Sequence, residues 1–172
     1  MSLHVSGLTI GSEGVALGAN GIVRTGREIL AGGNPKVGAG AGWVVNAAAN
    51  TFEATMAASQ TAGTLVVPLT GLTAGDTITG FRVVAQVESA GGIVTLDADL
   101  RAQTNVAADP TDASIGAVTQ VSVTADTAVS VTKTGLTEVV SVTKRYYILI
   151  TGTTAASTDV RYLASWVTCT TS

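Results

Sequence analysis

Cysteine and histidine occur once each in this chain of 172 residues, as Cys169 and His4. A lone cysteine excludes an intrachain disulfide and with it the small secreted scaffolds that depend on several. A lone histidine near the N-terminus leaves no positioned imidazole for a catalytic triad or for most zinc sites. Charge is also scarce: charged residues make up 12% of the chain and the net charge is −3. Beyond Lys144-Arg145 there is no basic cluster, and phosphate backbones are bound by clustered Lys and Arg, so no nucleic-acid partner is expected. Aromatics are confined to two Trp, three Tyr and two Phe, too few for both a core and the aromatic groove in which a pair of carboxylates cleaves a glycosidic bond. No apolar run approaches the roughly 20 residues of a membrane helix, so no membrane partner is expected. The opening MSLHVSGLTIGSEG lacks the charged start and apolar block of a secretory signal, which implies synthesis in a cytoplasm. The glycines follow no strand-to-helix phosphate-binding pattern. The reading is therefore of a protein that is not an enzyme and has no cofactor and no metal.

What the chain does have is Thr, Val and Gly in the proportions of a β-protein with many turns. In Thr77–Leu100, TITGFRVVAQVESAGGIVTLDADL, the residues Phe81, Val83, Ala85 and Val87 alternate with Arg82, Gln86 and Glu88. Val94, Leu96, Ala98 and Leu100 alternate with Thr95, Asp97, Asp99 and Arg101. Period-two alternation buries one face of a strand and wets the other. Ala90-Gly91-Gly92 supplies residues fit for a tight turn, so the stretch reads as a hairpin. Trp43–Val45 opens the β region, and further strands are expected at Phe52–Ala57, Thr64–Thr70, Val118–Thr124, Val129–Thr132, Arg145–Thr151 and Asp159–Thr170, with Glu138–Val142 a candidate edge strand. Pro68 belongs at an edge or bulge, Gly135 breaks a run, Gln103–Gly116 is a long loop, and the apolar RYYILIT is central. About eight strands at such spacing predict an all-β, jelly-roll-like antiparallel sandwich. Phe81, Val83, Val87, Val94, Leu96, Val121, Val123 and Leu149 are expected inside it.

Residues 1–42 read differently from residues 43–172, which form the sandwich domain. They hold eleven of the twenty glycines, with Leu8, Ile10, Val15, Leu17, Ile22, Val23, Ile29 and Leu30 between them. Glycine is costly to order and buries nothing, so the segment builds no core of its own. Its aliphatics set it apart from a plain linker. An extended Gly-rich arm that lies against a partner satisfies both facts. Its expected contacts are Leu8, Ile10, Val15, Leu17, Ile22 and Val23, with Arg24 and Arg27 paired to acidic groups.

Asp97 and Asp99 lie two apart on the wet face of one strand, and with the loop acids Asp109 and Asp112 they are candidate ligands for a cation such as Ca²⁺. The plain alternative is a solvated face. Tyr146, Tyr147, Tyr162, Trp43 and Trp166 are either a sugar-stacking platform or core residues. Cys169 alternates with Val167 and reads as a small buried hydrophobe.

The stretch from Gln60 to Val160, above all GLTAGDTITGF, TLDADL and TGTTAASTD, resembles small all-β virion proteins of tailed bacteriophages. The resemblance implies an assembly component rather than a catalyst. In capsid decoration (cement) proteins of this size, jelly-roll domains form trimers over joints of the shell, with arms lying on it. It thus implies the major capsid protein as partner, a homotrimer, and a place on the virion surface. The alternative is the receptor- or glycan-binding tip of a head or tail fibre or spike.

Overall fold

The structure, a computed structural model, describes residues 8–10, 13–18, 21–31, 34–40, 42–45, 54–89, 92–105 and 110–171, with backbone alone over 8–25. The strands are β1 (Leu8–Ile10), β2 (Glu13–Gly18), β3 (Gly21–Thr25), β4 (Arg27–Leu30), β5 (Lys36–Val37), β6 (Trp43–Val45) and β7 (Ala54–Met56). They continue as β8 (Gly63–Pro68), β9 (Thr77–Ser89), β10 (Val94–Thr104), β11 (Asp112–Val123), β12 (Thr127–Val139), β13 (Lys144–Thr154) and β14 (Thr158–Thr170). There is no helix among the described residues, and every strand pairing is antiparallel.

Two sheets form a jelly-roll-like sandwich. One has the order β11-β10-β13-β8-β5; the other has β12-β9-β14-β7-β6, with β4 also on β14. From β8 to β14 the chain changes sheet at every step except that from β10 to β11. The core lies between the inner faces. It takes Ile78, Phe81, Val83, Val87, Val160, Tyr162 and Val167 from one side, and Leu65, Val67, Val94, Leu96, Leu100, Ile148 and Ile150 from the other. Central β13 alternates so that Tyr146, Ile148 and Ile150 are buried.

Several expectations need correction. Thr77–Leu100 is not a hairpin: β9 and β10 stand in opposite sheets, and Ala90-Gly91 lies outside the described residues. Alternation tells which side of a strand is buried, but two strands stacked across a core have the same pattern as two lying side by side. Leu149 is not inside; it is half-buried on the outer face, its neighbours Ile148 and Ile150 having taken the core. Of the other expected core residues, Val121 is half-buried against the core and the rest are buried. Gly135, at φ +74°, does not end a strand, because β12 runs through it with a bulge between Thr134 and Glu138. Asp112–Gly116 is strand, since the ladder to β10 outweighs the turn preference of those residues. Pro68 stands at the end of β8, past the two residues that β5 covers.

The hydrogen bonding of the segment 1–42 changes at Gly26. Before it, β1, β2 and β3 pair only with one another in a separate three-stranded sheet. After it, β4 pairs with β14 and β5 with β8.

Candidate functional site

The outer face of the five-stranded sheet carries the most connected polar group on the molecule's described surface. Arg101 on β10 stands between Ser114 of β11 and Tyr147 of β13 by register. Its Nη1 donates to Asp99 Oδ2 at 2.7 Å and its Nε to Asp112 Oδ2 at 3.0 Å. Ser114 Oγ donates to Asp99 Oδ1 at 2.6 Å, and Tyr147 is the cross-strand neighbour of Arg101 on the other side. Burial pushes the Tyr147 hydroxyl up, and the Asp112 carboxylate beside it adds to that. Desolvation opposes the Arg101 charge, but the bonds to Asp99 and Tyr147 and the charge of Asp112 outweigh it and raise the pKa. One guanidinium is thus held between two carboxylates beside an aromatic ring.

That arrangement answers the cation question for Asp99. Both of its oxygens are engaged, and the guanidinium occupies the position between Asp99 and Asp112 that a metal would need. Among the described residues no group of three or more His, Cys, Asp or Glu is placed to hold a metal ion. Asp109 and His4 lie outside those residues. Sequence reasoning names Tyr147 only among the five aromatics and passes over Arg101 as a site member. The signal was present, because Arg101 continues the alternation that sets Asp97 and Asp99 on one face, but the pairing of β10 with β11 and β13 was not.

The described aromatic residues do not assemble into a platform. Trp43, Tyr146 and Tyr162 are buried. The indole Nε1 of Trp43 donates to Gly63 O at 3.0 Å, and the hydroxyls of Tyr146 and Tyr162 are bonded to Glu138 and Ser165. Trp166 lies on the outer face of the six-stranded sheet under Arg82, whose guanidinium carbon is 4.4 Å from the ring centroid. Trp166 and Tyr147 therefore belong to opposite surfaces.

A second group lies where β4 joins β14. Cys169 is fully buried; burial, reinforced by the charge of Asp76 and opposed by Arg27, pushes its thiol up to about 11. Asp76 is 4% exposed and its Oδ2 has no hydrogen-bond partner among the described residues. Arg27 Nη2 donates to Gly71 O at 2.9 Å.

Of the other expected contact residues, Leu8, Ile10, Val15, Leu17, Ile22, Val23 and Arg24 all fall on β1–β3. The register pairs Leu8 with Val15, Val15 with Arg24, and Leu17 with Ile22. With the alternation of strand positions, this sets Leu8, Ile10, Val15, Leu17, Ile22 and Arg24 at positions of one face, and Val23 at a position of the other.

No family model matches the sequence, and no curated protein does. Among solved structures, the xylan-binding module CBM15 is similar over 83% of this chain and 96% of its own, at 13% identity and a TM-score of 0.48. The low-affinity xylan-binding module CBM86 from the gut symbiont Roseburia intestinalis is similar over 84% and 94%, at 12% identity and a TM-score of 0.42. This likeness extends to the β-sandwich and no further.

Proposed function

We propose that this protein is a non-catalytic structural component of a tailed-bacteriophage virion, a trimeric decoration (cement) protein made in the host cytoplasm and placed on the capsid surface. The observation that carries the reading is the register of the N-terminal sheet. Six of the eight expected contact positions share one face of a small sheet that is hydrogen-bonded to neither sheet of the body. Three short strands need a partner surface for their apolar face, and the major capsid protein is the partner that the family resemblance implies. Decoration then works by mass action, because what binds the assembled shell and not its free subunits stabilises the shell.

A second reading, the glycan-binding tip of a fibre or spike, is favoured by the Asp99–Arg101–Asp112–Tyr147 face. It offers fixed acceptors and a ring to a sugar. Sedimentation with empty capsids of the encoding phage separates the two. Saturable co-sedimentation supports decoration. Adsorption to host cells without any capsid binding, lost in Tyr147→Ala, supports the tip.

A further inference from the structure

We infer that the end of the sandwich where the β8–β9 loop meets the β12–β13 turn is a binding site for a free aliphatic carboxylate, with the apolar tail in the cavity there and the charged end on Arg145. The inference goes beyond the assembly reading and does not rest on it.

The cavity follows from how two connections meet. After Pro68 the chain runs through Leu69–Asp76 to β9, and the turn Val140–Thr143 joins β12 to β13. Backbone bonds tie the two together: the Gly75 amide donates to Val140 O at 3.0 Å, and the Val140 amide to Asp76 O at 2.8 Å. A hollow of about 330 Å³ remains beside them, at the small end of the range in which proteins hold small molecules. Its floor is apolar. Val140 and Tyr146 are buried there, and Leu69 and Leu72 pack against the core next to them. The Tyr146 hydroxyl accepts from the Ser141 amide at 3.0 Å and donates to Glu138 Oε1 at 3.1 Å, so it needs nothing from an occupant. Val142 on the rim is 84% exposed, more than any other large apolar side chain among the described residues. Covering such a hollow and its rim removes apolar surface from water.

The charge of the occupant is set by the rim. Lys144 and Arg145 line the cavity, and no acid does among the described residues. The two cations are not equivalent. Lys144 Nζ donates to Glu138 Oε1 at 2.8 Å and is thereby neutralised. Arg145 is exposed and belongs to none of the ion pairs among the described residues. A guanidinium matches a carboxylate through two parallel N–H···O bonds. The occupant therefore has one carboxylate and an apolar tail.

A polypeptide suits the walls poorly. The Leu69 amide is spent on Tyr146 O at 3.0 Å, Val140 uses both its amide and its carbonyl on the loop, and Pro68 has no amide. A peptide laid in the hollow would find no strand edge there for its own backbone groups, and unpaired ones are costly. A free acid has only its carboxylate to satisfy.

The test is calorimetric titration of the full chain with n-octanoate at pH 7, where the acid is ionised. One octanoate should bind per chain, saturably, and affinity should fall about fourfold for each CH₂ removed in heptanoate and hexanoate. Octylammonium, with the same tail and the opposite charge, should bind more weakly. Arg145→Gln should weaken octanoate binding about fivefold, and Val142→Asp, which sets an acid on the rim, should weaken it as well. Both positions are exposed, and unchanged melting curves confirm that the variants fold. Absence of saturable binding, equal binding of octylammonium, or octanoate binding that either variant leaves unchanged overturns the inference. Tighter binding of N-acetyl-Ala-Ala-Leu than of octanoate overturns it too, because the site would then be one for a chain terminus.

Discussion

Ile148 and Leu149 are adjacent on the central strand of the five-stranded sheet and point opposite ways. Ile148 is fully buried, Leu149 half-buried on the outer face. Ile148→Ala should destabilise the fold by about 2–5 kcal/mol through lost burial and the cavity left behind. Leu149→Ala should cost less than about 1 kcal/mol, because a surface truncation leaves no cavity. Urea unfolding of the two variants checks the contrast, and equal losses would show the inward and outward assignments of β13 to be wrong. The Cys169 thiol makes a separate forecast. Its pKa rises from 9.0 to about 11 on folding, so the folded state holds the proton more tightly than the unfolded one. That contribution to stability is complete below about pH 9 and is lost as pH climbs through 11. Unfolding measured from pH 7 to 11 should fall more steeply in the native protein than in Cys169→Ala.

The elements show where strands must approach closely. Gly80 on β9 faces Thr134 of β12, and a Cβ added to Gly80 would lie 2.5 Å from the Lys133 carbonyl oxygen. That atom is backbone and cannot turn aside, so Gly80→Ala should push β12 outward just before its bulge and cost about 1–3 kcal/mol. A melting curve for this variant indistinguishable from that of the native protein would mean that β12 is not held in this register. By contrast, a Cβ on Gly152 would meet the Met56 thioether at 2.7 Å, a flexible side chain rather than backbone. Both long edge strands, β11 and β12, carry register shifts. Bulges there twist an edge away from foreign strands.

For the whole molecule, the hydrogen bonding sets the boundary between the N-terminal sheet and the body at Gly26, which has φ +82°. Deleting residues 2–25 should leave a folded, soluble body with β4 and β5 in place, and it should abolish co-sedimentation with capsids. Full occupancy by the truncated protein would show that the small sheet is not the anchor. A deletion of 2–42 is a poorer probe, because it also strips β4 from β14 and exposes Asp76 and Cys169. Individually weak contacts by three such sheets in a trimer would add through effective concentration, so loss of binding should be steep rather than gradual as sheets are removed.

Period-two alternation and the low content of charge and aromatics were enough to determine an all-β sandwich and most of its buried residues. Those properties depend on local chemistry, which each strand carries alone. Which strands are neighbours was decided only in the tertiary structure. The stacking of β9 across from β10, the continuation of β12 past Gly135, and the inward turn of Ile148 rather than Leu149 all depend on register between residues distant in sequence. So does the meeting of Arg101 with Asp112 and Tyr147, and of Arg27 with Cys169. A hydrophobic pattern records how many faces a strand buries, and the identity of the facing partner is settled by packing and backbone pairing over the whole chain.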